Sequence, residues 1–549
     1  MCIRDRNGVL DLDEIVDTAL LCHGSLGEAG SDGQDGVDGS KGHSALVEQH
    51  IPPSWLCSDG ISLAFGVDDG QDEGIADDGI LQDHEIRAEL KMCFDRAEPQ
   101  RATDIAAGIA NSFSVNCEEF IAIEASEFIV FSATDSNTGC ELYRYSLSTG
   151  VSTLIFDLHS SGDSQPGRMT GFFPAHHNQQ TWLYFDADTG TGASMWAMNT
   201  SEWIPVPLID VVVRSPLMWN QEVLMWNESN QLVVIDGVQQ VPMWQASSID
   251  EGSMLESTLR DNYTHLGEMY ANSFDDLVIM SAMNSQGQSV ILAVDDTLTE
   301  WIIPSPQPIS ITTSIRTTNG IVAVASVGDD HQLILLHEDG SFLWLTQLTY
   351  DGEDGLVRHL GHDLGLHLVD NNIIFDAITE GVDSTLWSVD LDTFEVSRLS
   401  DQLFAVGQET GGHLINEMLY FDCINATTGR EVCQTDGTAE HTLVQDALRP
   451  GIQGSDPQAM VSFGHHLFIL ADGVEDGQLN PSTLWIFDGS TFEFGYDAYP
   501  GAMNDSQSGT YGQLIALNSH LMWIGHDGSF GHELLTWNMI QFDDTWVVV

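Results

Sequence analysis

The sequence predicts a mainly β fold: a β-propeller of about seven to nine four-stranded blades, preceded by a small disulfide-bounded acidic module and a flexible Gly-rich spacer. Three observations lead there. An apolar–aromatic run, an acidic Gly-rich turn and a Leu-Trp strand recur along residues 110–549, starting at Ile129, Leu183, Ile373, Leu419, Leu467 and Leu521, with less decorated candidates near Val223, Leu277 and Ile321. These starts stand about 49 residues apart, within the range of propeller blades. Each unit reads as short or alternating apolar strands bounded by Gly, Asp and Asn, with no amphipathic stretch of helical length. Finally, 549 residues with 42% hydrophobic content are enough to bury a sizeable core.

Charge narrows the function. Asp and Glu number 83 against 16 Lys and Arg, giving a formal net charge of −67. Nucleic acids and anionic membranes both need clustered cations, so neither is an expected partner. Only 18% of residues are charged, so the imbalance reflects scarce Lys and Arg. Such a surface suits high salt, where screening weakens self-repulsion. No run of about 18 apolar residues occurs, so no helical membrane insertion is expected in this fragment.

Residues 1–6 resemble translated sequencing-adapter read-through and are expected to carry no biology, with a signal peptide lost by N-terminal truncation. Residues 7–23 read as the remnant of a truncated Cys-bounded module. Asn7–Cys22 aligns without gaps on Asp78–Cys93, with Gly, Leu, Glu-Ile and Cys in register. Each copy contains the second half of an EF-hand-like loop, with Gly8 or Gly79 at the sharp turn and Glu14 or Glu85 closing it. Asp11, Glu14, Asp78 and Glu85 are therefore the candidate calcium ligands. Gly74 and Ala76 stand where the second copy needs oxygens, so an acidic turn capped by a helix is the competing reading.

Residues 24–44 form the spacer. Seven glycines from Gly24 to Gly42 fall every third residue, but no Pro occupies the intervening positions. The collagen-like spacing is compatible with a flexible acidic linker or a trimerising stalk. Residues 45–95 are the complete Cys-bounded module, in which Cys57 and Cys93 are expected to pair. Cys423 and Cys433 straddle a predicted hairpin and could bridge it; Cys117 and Cys140 are a further candidate pair. Together these disulfides predict an extracellular or cell-surface location.

A linker at 96–109 leads into the repeat domain, 110–549. Its plainest internal match sets Ile129–Tyr143 on Leu419–Cys433, followed by Ser164-Gln165-Pro166 on Ser455-Asp456-Pro457. One such sheet cannot bury both faces alone, which favours a closed ring over an open array. The last unit lacks a strand, and Phe113–Ile123 offers a spare one. A β-solenoid is the alternative, although about 49 residues is long for one coil.

The Glu141-Leu142-Tyr143 and Glu431–Thr438 segments, with Asp446, Pro450-Gly451 and Ser455-Asp456-Pro457, resemble the ELWxxDGT repeat of secreted, hyalin-like β-propeller proteins. The likeness is strong in two units and loose elsewhere; Cys433 replaces the expected Trp. The N-terminal module and Gly-X-Y tract similarly resemble modular surface proteins of marine microbes. The resemblance implies a secreted or surface-displayed scaffold and supplies no catalytic residues.

Most candidate chemistry reads as structure. Trp196, Trp387 and Trp485 occupy a repeated inward position suited to core packing, with sugar stacking as the alternative. Asp390, Asp436 and Asp488 follow a strand where Asp accepts backbone N–H bonds in a turn, or could bind calcium. His359, His362 and His367 could offer imidazoles to zinc, but no Cys or helix supports that reading. His176-His177 and His465-His466 read as exposed turns. No G-x-S-x-G elbow and no phosphate-binding G-x-x-x-x-G-K-[ST] loop is found.

Two functions follow. The first is a non-catalytic binding or adhesion scaffold recognising an extracellular glycan or protein partner, stabilised by calcium, with the inserts Gly473–Pro481 and Tyr496–Thr510 as binding loops. The alternative is a secreted polysaccharide-degrading enzyme, hydrolase or lyase, working in the propeller funnel. It predicts one non-repeating polar cluster at a single strand end.

Overall fold

The computed structural model describes Ser44–His50, Gly60–Asp68, Leu81, Ile86–Cys93 and, within 99–539, all but short stretches and the longer segments 210–216, 243–262 and 497–509. The chain divides into two compact units, Met1–Glu98 with Asn538–Val549, and Pro99–Trp537. In the first, Ser44–His50, Gly60–Asp68 and Ile86–Cys93 form a three-stranded antiparallel sheet. The sequence allowed a helix after the second acidic loop, but Ile86–Cys93 is a strand. Asp11, Glu14, Asp78, Glu85 and Cys57 lie outside the described residues, as do the side chain of Cys93 and the spacer through residue 43.

The second unit is all-β. Its described residues contain nine sheets of four or five antiparallel strands, following one another along the chain, and no helix. The first sheet is Phe120–Ile123, Phe128–Thr134, Cys140–Ser146 and Val151–Phe156. The sixth is Leu366–Val369, Asn372–Ala377, Thr385–Asp390 and Val396–Arg398. In the ninth, Thr510–Leu517, His520–Gly525 and Glu533–Asn538 gain an outer strand, Gln100–Arg101, from the other end of the unit. Each of the nine repeat starts read from the sequence falls on the strand that is second in its sheet's pairing order, called the second strand below.

Three expectations change. The closing strand comes from within 96–109, not from Phe113–Ile123, whose end is instead the opening strand of the first sheet. The stretch Gly473–Pro481 is largely an extension of the hairpin strands His466–Glu475 and Gln478–Phe487. His176 and His177 end the strand Phe172–His177, and His466 begins its strand, so only His465 stands in a turn.

The second strands explain the packing. Ile129, Val130 and Phe131 are all fully buried, as are Ile373, Ile374 and Phe375 and Leu467, Phe468 and Ile469. Consecutive rather than alternating burial means that both faces of the sheet are covered. The cores accordingly lie between neighbouring sheets: Val130, Leu142, Leu183 and Phe185 join the first to the second, and Val322, Leu333, Ile373 and Phe375 the fifth to the sixth. Phe113, Phe131 and Tyr143 pack with Met522, Ile524 and Leu534, so the first sheet also meets the ninth. Between the fourth and fifth sheets, Trp301 is buried and donates its indole N–H to the His337 carbonyl at 2.8 Å. Trp301→Phe should therefore lower the unfolding free energy by about 1–2 kcal/mol, read from the denaturant midpoint, through one lost buried hydrogen bond and a small void.

A second repeated device joins one sheet to the lead-in of the next. Glu141 accepts from the Leu158 N–H at 2.7 Å and the Ser164 hydroxyl at 2.6 Å. Glu431 takes the Ser455 hydroxyl in the same way. Glu533 takes those of Ser112 and, at 2.6 Å, Thr103. The glycine two residues earlier permits this approach. Gly139 has φ +79°, and a Cβ there would stand 2.5 Å from the Gly162 carbonyl; Gly429, at φ +81°, would meet the Ile452 carbonyl at 2.5 Å. Gly-x-Glu within the two aligned blocks and the Ser-x-Pro that follows each are thus the two halves of one clasp.

Disulfides join Cys117 to Cys140 and Cys423 to Cys433. No described helix is long and apolar enough to cross a membrane.

Candidate functional site

Sheets two, six and seven each place an Asp near the end of the second strand, where the carboxylate holds the loop entering that sheet. Asp186 accepts from the N–H groups of Met169 and Thr170 and, at 2.9 Å, from the Thr170 hydroxyl. Asp422 accepts the corresponding bonds from Glu409 and Thr410, with the Thr410 hydroxyl at 2.9 Å, and is paired with Arg430. Both are structural carboxylates, buried and satisfied.

Sheet six departs from that pattern. Leu364 stands where the other sheets have Thr, and its N–H reaches the buried Asp376 carboxylate at 3.1 Å. Without a Thr hydroxyl, Asp376 Oδ2 instead meets His359 Nε2 at 2.9 Å. The loop fixes His359 through its backbone: Ile378 N–H donates to its carbonyl at 3.0 Å, and Gly361 N–H donates to the Asp376 carbonyl at 2.7 Å. Asp363 adds a second carboxylate, 3.2 Å from His359 Nε2 and 2.9 Å from His362 Nδ1. The two imidazole rings are 4.8 Å apart. His362 is largely exposed, at 76%, whereas Asp376 is fully buried, so the cluster runs from the sheet interior to the surface.

The electrostatics separate His359 from its neighbours. Its hydrogen bond to Asp376, opposed by burial and aided by the fields of Asp376 and Asp363, holds its pKa above the ordinary imidazole value. Burial pushes His331, His367 and His413 the other way. One ligand atom each from His359, His362 and Asp363 lies within 4.8 Å of the others, making this a possible metal-binding triad.

Of the His359, His362 and His367 spacing noted in the sequence, where zinc was disfavoured, the structure brings together the first two and not the third. His367 Nε2 is bonded to the Leu364 carbonyl at 2.9 Å, as His413 Nε2 is to that of Thr410 at 3.0 Å, and Asp363 takes its place. The turn acids behave as structure: Asp390 accepts from Asp392 and Thr393 N–H, Asp436 from Thr438, and Asp488 from Ser490 and Thr491. These bonds, that of Thr491 foremost, hold the Asp488 carboxyl at about 2. Trp196, Trp387 and Trp485 pack against the inter-sheet cores.

The class these features define is a propeller-type all-β protein with, among the described residues, a His/Asp cluster of possible metal ligands at a strand end. No family model matches the chain, and no curated protein matches it. Solved structures similar to it include an oligogalacturonate lyase in complex with manganese, at 11% identity and TM-score 0.32, covering 81% of this chain and 96% of that one. A puromycin-hydrolyzing peptidase of Mycobacterium tuberculosis shows 11% identity and TM-score 0.32, covering 70% and 63%. Porphyromonas gingivalis dipeptidyl peptidase 4 shows 9% identity and TM-score 0.39, covering 78% and 67%. The chain thus spans a little under two thirds of the puromycin hydrolases it matches. The expectation of a non-catalytic binding or adhesion scaffold is contradicted by these comparisons, whose named proteins are enzymes, and it is set aside.

Proposed function

We propose that the chain is a secreted polysaccharide-degrading enzyme, hydrolase or lyase, whose centre is the cluster of His359, His362 and Asp363 built on Asp376. One observation carries the reading: a structural Asp common to several sheets is, in sheet six alone among those described, coupled to a second carboxylate and two imidazoles. A non-repeating polar cluster of this kind at one strand end is what distinguishes an enzyme from a scaffold built of equivalent units. Chemically it sets an oriented imidazole beside two carboxylates, groups that can act as general acids and bases in bond cleavage.

The nine sheets are read as nine blades, closed by Gln100–Arg101 in the last. Membership among divergent ELWxxDGT-repeat proteins is supported by the shared task of Glu141 and Glu431 in gripping the next Ser-x-Pro loop. The two disulfides favour an oxidising, extracellular setting.

Incubating the full chain with a panel of polysaccharides in seawater-like salt, while following new sugar ends and unsaturated products, tests the reading. Product formation that Asp363→Asn abolishes is the expected result. Absence of products across the panel, with or without depletion of the protein onto the polymer, overturns it.

A further inference from the structure

We infer that His359, His362 and Asp363 form a binding site for one divalent first-row transition cation, of the zinc or manganese class, and that calcium is not its ion. The inference rests on the same cluster as the proposed activity and adds its cofactor.

The donor set decides the ion class. Two imidazoles and one carboxylate suit zinc and its neighbours, whereas calcium takes six to eight oxygen ligands. Three protein ligands leave coordination positions open, as catalytic rather than closed structural sites do. Ligand atoms around a tetrahedral ion stand roughly 3.3 Å apart at ordinary metal–ligand distances. The three donors here lie within 4.8 Å, and His362, which is mostly exposed, is free of core packing and can supply the remaining approach by a rotamer change.

The surroundings supply what metal-bound imidazoles usually have. Asp376, fully buried and held by the Leu364 N–H, grips His359 through Nε2, as an outer carboxylate fixes the ring of a metal-ligating His, so Nδ1 is the nitrogen that would take the cation. Gly361, at φ +61°, and Gly365, at φ +86°, form the turn that brings residues 359–363 over the strand end. Equivalent loops in sheets two and seven offer Thr170 and Thr410 to their Asp and no imidazole, so the arrangement is not a by-product of the repeat.

Calorimetric titration of the chelator-treated full chain with Zn²⁺, Mn²⁺ and Ca²⁺, in high salt to suppress diffuse binding to the acidic surface, tests the site. Elemental analysis supplies the stoichiometry. The expected result is one equivalent of Zn²⁺ or Mn²⁺, weakened at least tenfold by His362→Ala and by Asp363→Asn but not by His465→Ala, and not displaced by Ca²⁺. Because His362 is exposed, its removal should leave the thermal midpoint of the metal-free protein unchanged. Binding indifferent to these variants, or Ca²⁺ displacing Zn²⁺, overturns the inference. A polysaccharide assay run beside it separates the two readings. Cation bound at the cluster without new sugar ends sinks the enzyme and leaves the site; no cation bound at the cluster, with full activity in the metal-free chain, sinks the site and leaves the enzyme.

Discussion

Glu533→Ala is expected to lower the unfolding free energy by about 4 kcal/mol, the largest stability loss foreseen for a single polar side chain here. Glu533 is fully buried and accepts from Ser112 and Thr103, residues 421 and 430 positions away in the chain. Those hydroxyls are themselves committed: Thr103 accepts the Leu534 N–H at 2.9 Å, and Ser112 accepts those of Ile105 and Ala106 at 3.1 and 2.8 Å. Removing the carboxylate leaves both hydroxyl donors buried without their acceptor. It also loosens the contact that brings distant ends of the unit together, where the closure entropy is greatest. Glu141→Ala breaks the same kind of clasp, but between residues 17 and 23 positions apart, and should cause a smaller loss. Denaturant midpoints rank the two, and limited proteolysis should show new cleavage near 100–113 only for Glu533→Ala. Equal losses in both variants would refute the closure argument.

The same group has a pH signature. Burial raises the Glu533 carboxyl above its ordinary value, against the lowering effect of Ser112 and Thr103. Its folded pKa therefore exceeds the unfolded one, so its contribution is full below the unfolded pKa and is lost as pH rises through the folded one. Glu533→Gln, which stays neutral, should gain on the wild type as pH rises from acid to neutral, and the difference between them should shrink on acidification.

What could be read from the sequence follows from where each signal lies. The Ser-x-Pro segments at Ser164 and Ser455 were legible as repeat landmarks, and Gly139 and Gly429, held at positive φ, lie within the two aligned blocks. The task of Glu141 and Glu431 was not legible, because their serine partners belong to the loop entering the following sheet. Gln100–Arg101 is two residues long and carries no alternation, so it read as linker. His359 and His362 were noticed for spacing alone. His367 shares that spacing but is sent back onto the Leu364 carbonyl by the turn at Gly365, while Asp363, one of 83 acids, has nothing local to mark it. Asp376 was invisible as a site residue, since the same Asp recurs in sheets where it only holds a loop.

That recurrence makes a control available for the second large effect. His359→Ala is expected to lower kcat/KM for polysaccharide cleavage by about a hundredfold to ten-thousandfold, the range for losing a positioned acid–base or metal-binding imidazole. Asp376→Asn should cost about ten- to a hundredfold in both activity and cation affinity. The amide keeps the shape and the bond from Leu364 but no longer matches a donating imidazole with a carboxylate. Asp376 is a positioning residue in this argument, so loss of activity alone would not separate its role from a structural one. Asp422→Asn supplies the separation: it removes the same repeat carboxylate from sheet seven, where Thr410 and Arg430 are its partners. Both Asn variants should lose comparable stability, since each weakens a loop held by the same backbone geometry. Only the Asp376 variant should lose cleavage and cation binding. If Asp422→Asn impairs them equally, the buried Asp acts through the fold as a whole, and the cluster in sheet six has no special claim to the chemistry.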